Sequence, residues 1–217
     1  MKKRIAVVLC GCGSMDGSEI HEATMTLLAI DRHGAEYTVF APDDDQYEVI
    51  NHITKERMPG KRNMLIEAAR IARGNILPLA EFDANNFDAL VLPGGFGAAK
   101  NLFTYAYDGL KAKVRDDISN AIHSMHNMKK PIGALCIAPV LLAKVLGDVV
   151  ITVGTDEQTI SHVEKFGAAH VNTQQTEVIS DKKNMVFTTP CYMLPATIAD
   201  IADSADNLIS SMLDNIK

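Results

Sequence analysis

Two apolar runs separated by a helical stretch constrain this chain more than any other feature. Ile5 to Cys10 is continuously apolar, holds β-branched residues and ends at Gly11, the pattern of a strand buried on both faces. Ile20, Ala23, Leu27, Leu28 and Ile30 then recur at helical spacing, with Ser18 placed to cap the helix and Gly34 to end it. Tyr37 to Phe40 is a second short strand, stopped by Ala41-Pro42. A strand–helix–strand unit implies a crossover, so the sheet is expected to be parallel. The alternation continues. Asn63 caps a helix through Arg73, Phe87 to Leu92 is a core strand, and residues 109–128 are helical. Ile132 to Leu135 is a strand, Ile137 to Leu146 a helix, Val149 to Val153 a strand and 157–166 a helix. Val178 and Met185 to Phe187 are strand candidates, and residues 193–214 form a closing helix. Residues 43–62 are polar and read as an excursion at the sheet's edge. The expectation is an α/β chain, with a mostly parallel sheet covered by helices on both faces, in a single domain over 1–217.

Composition narrows the function classes. At 217 residues and 47% hydrophobic the chain buries a sizeable core, and a net charge of −6 argues against a nucleic-acid partner. Cys10, Cys12, Cys136 and Cys191 are spaced too irregularly for a disulfide scaffold, and Cys10-x-Cys12 has no partner pair at zinc spacing. No metal and no cofactor is expected. The basic start Lys2-Lys3-Arg4 leads into an apolar run too short for a signal peptide, and no stretch approaches the ~20 apolar residues of a spanning helix. A cytoplasmic protein with no membrane partner is the expectation.

The chemistry points to Cys136. An apolar strand runs directly into this cysteine and then into a helix, with Ala134 and Ala138 on either side. Such an elbow puts a nucleophile at a helix N-terminus, where the dipole favours thiolate; the plainer alternative is a buried core cysteine. Pro93-Gly94-Gly95-Phe96-Gly97 follows another strand. There the N–H of Gly95, with that of Ile137, suits an oxyanion hole, or the glycines simply turn the chain. Glu19 and Glu22 lie three apart on one helix face, placed to supply a general acid/base or merely to complement the helix dipole. If the strand ends converge, Cys12 and Cys191 are further thiols near Cys136, able to resolve an oxidised sulfur.

Together, Pro93-Gly-Gly, the Leu135-Cys136-Ile-Ala-Pro elbow and the helix glutamate resemble the PfpI/ThiJ superfamily, relatives of class I glutamine amidotransferases. Longer strings resemble its ElbB-type branch, the enhancing-lycopene-biosynthesis proteins. They are Gly11-Cys-Gly-Ser-Met-Asp-Gly-Ser-Glu-Ile-His-Glu, Leu92-Pro-Gly-Gly-Phe-Gly-Ala-Ala-Lys-Asn, Thr189-Pro-Cys-Tyr-Met-Leu, Arg62-Asn63 through Arg70, and Val153-Gly154-Thr155-Asp156. The resemblance implies a flavodoxin-like, amidotransferase-like domain assembled as a homodimer. It places the nucleophile at Cys136, the helix carboxyl at Glu22 with Glu19 as neighbouring candidate, and the oxyanion glycine at Gly95. It also implies a cofactor-independent glyoxalase-type activity on small aldehydes and a link to isoprenoid biosynthesis.

One departure divides the functional readings. Glyoxalase-type relatives often carry a histidine after the next strand, where this chain has Thr152-Val153-Gly154-Thr155; His162 and His170 lie downstream. A full Cys-His-acid triad is therefore not expected, which argues against protease and glutaminase activity. The chain reads as a glyoxalase-type enzyme working through a Cys136 adduct, or as a non-enzymatic redox-responsive or binding protein linked to isoprenoid metabolism. His21-Glu22 lacks the second histidine of a zinc-protease helix, since position 25 is Met25, and Gly11-x-Gly13-x-x-x-Gly17 misses the spacing of a dinucleotide-binding loop.

Overall fold

The computed structural model describes residues 2–216. Strand β1 (Arg4–Val8) leads through a glycine-rich loop into α1 (Ile20–Arg32), which returns to β2 (Glu36–Ala41). The excursion that follows folds into its own antiparallel ribbon, β3 (Val49–Ile50) with β4 (Arg57–Met58). Next come α2 (Met64–Ile71), a short edge strand β5 (Ile76–Pro78) and the core strand β6 (Ala89–Leu92). The one-turn α3 (Tyr105–Asp108) and α4 (Asp116–Asn127) lead to β7 (Ile132–Leu135) and α5 (Ala138–Leu146). The chain closes with β8 (Val150–Ile151), α6 (Glu157–Lys165), β9 (Ala169–His170), β10 (Ile179–Asp181), β11 (Val186–Thr189) and α7 (Ile198–Leu213).

The main sheet has the order β10-β11-β7-β6-β1-β2-β5, parallel throughout except for β10. Alternate residues of the central strands enter two separate cores, which is why those strands read as continuous apolar runs. Ala6, Val8, Leu90 and Leu92 pack with Ile118, Ile122 and Leu141. Ile5, Val7, Ala89 and Val91 pack with Ala23, Leu27 and Leu208. The result is the mostly parallel, helix-covered α/β architecture, flavodoxin-like, that the sequence predicts. The chain winds outward from β1 through β2 to β5, then crosses back to β6 on the other side of β1. Connections therefore leave β1 and β6 in opposite directions, opening a crevice at their carboxyl ends.

Several boundaries differ from expectation, each for a local reason. Ser18 does not cap α1; its hydroxyl accepts the Cys10 N–H at 2.9 Å, and Glu19 caps instead. The helix expected over 109–128 begins only at Asp116: Gly109–Lys111 form a single 3-10 turn, and Val114 then pairs with Phe103 as an isolated β-bridge. The strand expected over 149–153 pairs with β9 in a separate ribbon rather than joining the main sheet. Residues 193–197 stay outside the closing helix, which starts after Thr197 in a reciprocal capping box with Asp200.

Candidate active site

The elbow is present and strained. Cys136 sits at φ +60 in the left-handed region, uncommon for any residue but glycine, asparagine or aspartate. Its N–H donates to Thr189 O at 3.0 Å, which pins the turn to the end of β11. Ala134 and Ala138 are fully buried around it, and α5 starts at once, with Ile137 as its cap and Pro139 in its first turn. The sulfur-bearing residue is 7% exposed.

The acid partner comes from α1. The Glu19 carboxylate accepts the Glu22 N–H at 2.7 Å, and the Glu19 N–H donates to Gly94 O at 2.9 Å. This fixes the first turn of α1 against the end of β6 and turns Glu22 inward, where it is fully buried. One Glu22 carboxyl oxygen accepts the Gly94 N–H at 3.0 Å and the other the Tyr192 N–H at 3.4 Å. The Cys136 thiol lies beside this carboxyl, close enough for each group to shift the acidity of the other. Gly94 has no room for a side chain. A Cβ there would lie 2.6 Å from Cys136 Cβ and 2.7 Å from a Glu22 carboxyl oxygen. Gly95 follows at φ +98, where its N–H favours thiolate at Cys136.

Electrostatics decide which form each group takes. Burial, then the charge of Glu19, pushes the Glu22 carboxyl up to about 8, against the hydrogen bonds from Cys136, Tyr192 and Gly94. Burial, then the charge of Glu22 and the neighbouring Cys191, holds the Cys136 thiol well above its ordinary value, while the Gly95 N–H favours thiolate. The helix-dipole expectation of a readily formed thiolate is thus outweighed, first by burial and further when Glu22 is charged. The proton belongs to the pair: the thiol donates to a carboxylate, or the neutral carboxyl donates to a thiolate.

The fold therefore gathers Cys136, Glu22, Gly95 and Ile137, with Glu19 one step back as the helix cap. Cys191 joins them, fully buried at φ +43, with Glu22 charge bearing on its thiol. Cys12 does not. It is half-buried on the loop before α1, where the charges bearing on it are Glu67 and Arg70, Asp16 and Arg62. His162 and His170 are engaged elsewhere, the first with the Tyr105 hydroxyl at 2.9 Å and the second accepting the Val153 N–H at 3.0 Å. The loop from Gly11 to Ser18 spends N–H groups on itself, Gly13 to Ser18 O at 2.9 Å and Gly17 to Gly13 O at 2.8 Å, unlike a phosphate cradle. Among the described residues no group of three or more His, Cys, Asp or Glu is arranged to hold a metal ion, and no helix is long and apolar enough to cross a membrane. Sequence reasoning missed the backbone N–H groups of Gly94 and Tyr192 as partners of Glu22. Gly94 stood beside the favoured Gly95, but nothing local marks a backbone N–H at 192 as a partner of residue 22.

Comparison with known proteins follows the same geometry. Residues 4–190 match the DJ-1/PfpI family. The chain is 44% identical to the mitochondrial ES1 protein homolog of Rattus norvegicus, over 98% of this chain and 84% of the relative. It is 43% identical to the mitochondrial glutamine amidotransferase-like class 1 domain-containing protein 3 of Homo sapiens, over 97% and 82%. A crystal structure from Ehrlichia chaffeensis, described as an isoprenoid biosynthesis protein with an amidotransferase-like domain, superposes with a TM-score of 0.93 at 36% identity. It covers 99% of this chain and 100% of that one. These relatives are named as mitochondrial proteins, which contradicts the cytoplasmic expectation. That expectation rested on reading the basic start of the chain as leading into a strand rather than a targeting segment, and Arg4–Val8 is indeed the first strand of the sheet.

Proposed function

From the premise that this chain belongs to the DJ-1/PfpI family, we propose that it is a cofactor-independent glyoxalase-type enzyme converting small 2-oxoaldehydes to 2-hydroxy acids. The observation that carries the reading is the fully buried Glu22 carboxyl beside the Cys136 elbow, held by the Gly94 and Tyr192 N–H groups and pushed by burial up to about 8. The Cys136 sulfur adds to the aldehyde carbon, and the carbonyl electron pair moves to oxygen, which takes the thiol proton through Glu22. The product is a hemithioacetal whose oxygen faces the N–H groups of Gly95 and Ile137. Glu22 as carboxylate removes the proton from the former aldehyde carbon and returns one to the neighbouring carbon. The hydroxyl proton passes from the first carbon's oxygen to the second carbon's oxygen, leaving a thioester at the first carbon and an alcohol at the second. Water cleaves the thioester to the 2-hydroxy acid and restores the thiol. One carbon is oxidised and its neighbour reduced, so no external electron carrier is needed.

Within this proposal the chain is an ElbB-type protein acting as a homodimer. The engagement of His162 and His170 elsewhere favours a second reading, a redox-responsive or binding protein linked to isoprenoid metabolism. Turnover of glyoxal or methylglyoxal by the purified chain, lost in Cys136→Ser, supports the enzyme; equal turnover in that variant overturns it.

A further inference from the structure

Tyr192 touches α1 at both of its ends. Its backbone N–H donates to one carboxyl oxygen of Glu22 at 3.4 Å, and its hydroxyl lies 2.8 Å from Nδ1 of His21, the adjacent residue of the same helix. The two rings are 6.0 Å apart and tilted. Tyr192 belongs to the single helical turn Cys191–Met193, entered through the strained Cys191. This turn follows β11, whose Thr189 carbonyl holds the Cys136 N–H. Two consecutive residues of α1 are thus tied to one residue of the turn beside the thiol, one tie through backbone and one through side chains. His21 is exposed and Tyr192 half-buried, so the side-chain tie lies on the outer side of the site.

We propose that His21 and Tyr192 form a clip across the first turn of α1 that holds the Tyr192 N–H on Glu22, making both of them positioning residues for the Cys136–Glu22 pair. The inference rests on the reading that Glu22 is the proton partner of Cys136. Titratable groups around Glu22 are Cys136 on the elbow, Glu19 on its own helix, and Cys191 and Tyr192 on the turn, with His21 behind Tyr192. An N–H aimed at the carboxyl favours its charged form. Opening the clip therefore makes Glu22 harder to ionise and leaves the intrinsic acidity of the thiol beside a neutral Glu22 unchanged.

The consequence is specific in pH. Below the Glu22 midpoint both groups are protonated, and the thiolate fraction depends only on the thiol beside a neutral carboxyl. Above that midpoint the charged carboxylate competes for the proton, and the thiolate fraction levels off. Opening the clip should move that levelling upward by about half a pH unit, the size of one weak hydrogen bond. Near pH 9 the thiolate fraction should rise about threefold, with no change near pH 6.5.

The test is the rate of Cys136 alkylation by iodoacetamide on the full chain, resolved by peptide mapping, from about pH 6 to about pH 10. Tyr192→Phe and His21→Leu should each give the upward shift, their double variant no more than either one, and His21→Gln, which keeps an acceptor for the hydroxyl, a profile near wild type. In a Glu22→Gln background Tyr192→Phe should change nothing. A rate altered by the same factor at every pH marks a change of access only and overturns the clip, as does an unshifted profile in His21→Leu, whose exposed position leaves the fold intact. If Glu22→Gln itself leaves the wild-type profile unaltered, the failure lies with Glu22 as proton partner. If Glu22→Gln alters it and the clip variants do not, only the clip is wrong.

Discussion

Two buried carboxylates flank the start of α1 and lead different lives. Asp16 is 1% exposed and Glu22 fully buried. Asp16 accepts the Ile50 N–H at 2.8 Å, has His52 Nε2 at 3.8 Å, and offers its carbonyl to the side chains of Asn101 and Gln46 at 2.9 and 3.0 Å. It stitches the loop before α1 to the β3–β4 excursion and to the chain after β6. Glu22 is met by two backbone N–H groups and a thiol that can return a proton. Burial is common to both, so burial does not make a site. What separates them is the partner: Asp16 holds a backbone N–H with an imidazole 3.8 Å away, whereas Glu22 lies beside a buried thiol on a nucleophile elbow.

The comparison breaks most visibly in turnover. Glu22→Gln keeps the shape and a donor for the sulfur but cannot carry a proton between carbons. It should lower 2-oxoaldehyde turnover by about a hundredfold or more, in the range general acid–base catalysis supplies. Asp16→Ala should leave turnover per folded molecule within about twofold. A loss in Asp16→Ala as large as in Glu22→Gln would erase the distinction.

Stability against pH sharpens it. The folded carboxyl of Glu22 titrates at about 8 against an ordinary 4.5, so between those values the folded chain holds a proton that the unfolded chain has released. Its contribution is full below about 4.5 and is lost as pH rises through about 8, on the order of a few kcal/mol in all. Denaturant unfolding at pH 5 and pH 8 should show a loss of stability over this window that Glu22→Gln flattens. A slope unchanged in Glu22→Gln would show that the carboxyl is not the group responsible.

Asp16 should show itself in packing instead. Asp16→Ala leaves the buried Ile50 N–H without its acceptor and should cost about 1–3 kcal/mol, read as a lower unfolding midpoint. Asp16→Asn, which keeps an acceptor oxygen, should recover part of this. The smallest effect belongs to Glu19→Gln. The cap acceptor stays and only a charge next to Glu22 is removed, so turnover should fall less than tenfold while the Glu22 midpoint moves down toward the ordinary carboxyl range. Abolished turnover there with Glu22→Gln still active would transfer the proton role to Glu19.

Much of this was legible beforehand, for identifiable reasons. The apolar runs at Ile5, Phe87 and Ile132 are marked by burial on both faces, a property written into every residue of the run. Asn63 caps α2 as expected, its side chain accepting the Ile66 N–H at 3.0 Å. The elbow at Cys136 needs only a strand, small flanking residues and a helix in immediate succession. Less legible were short elements whose partners lie far away in sequence. Ile76–Pro78 is a strand because β2 offers an open edge, and Val149 to Val153 leaves the main sheet because Ala169 and His170 offer another.

The sequence by itself determined the parallel α/β architecture, the nucleophile's place on a strand-to-helix turn and the pair of acids at the start of α1. Periodicity, capping and turn chemistry act over a few residues, and those features are local. Tertiary structure decided which acid meets the thiol, that the Gly94 N–H holds that acid while the Gly95 N–H meets the sulfur, that Cys191 joins the cluster and Cys12 does not, and that Tyr192 lies across α1. Each of these depends on the order of strands in the sheet, which brings the ends of β6, β7 and β11 together beside the first turn of α1. No spacing within a single segment encodes a meeting between residues 22, 94, 136 and 192.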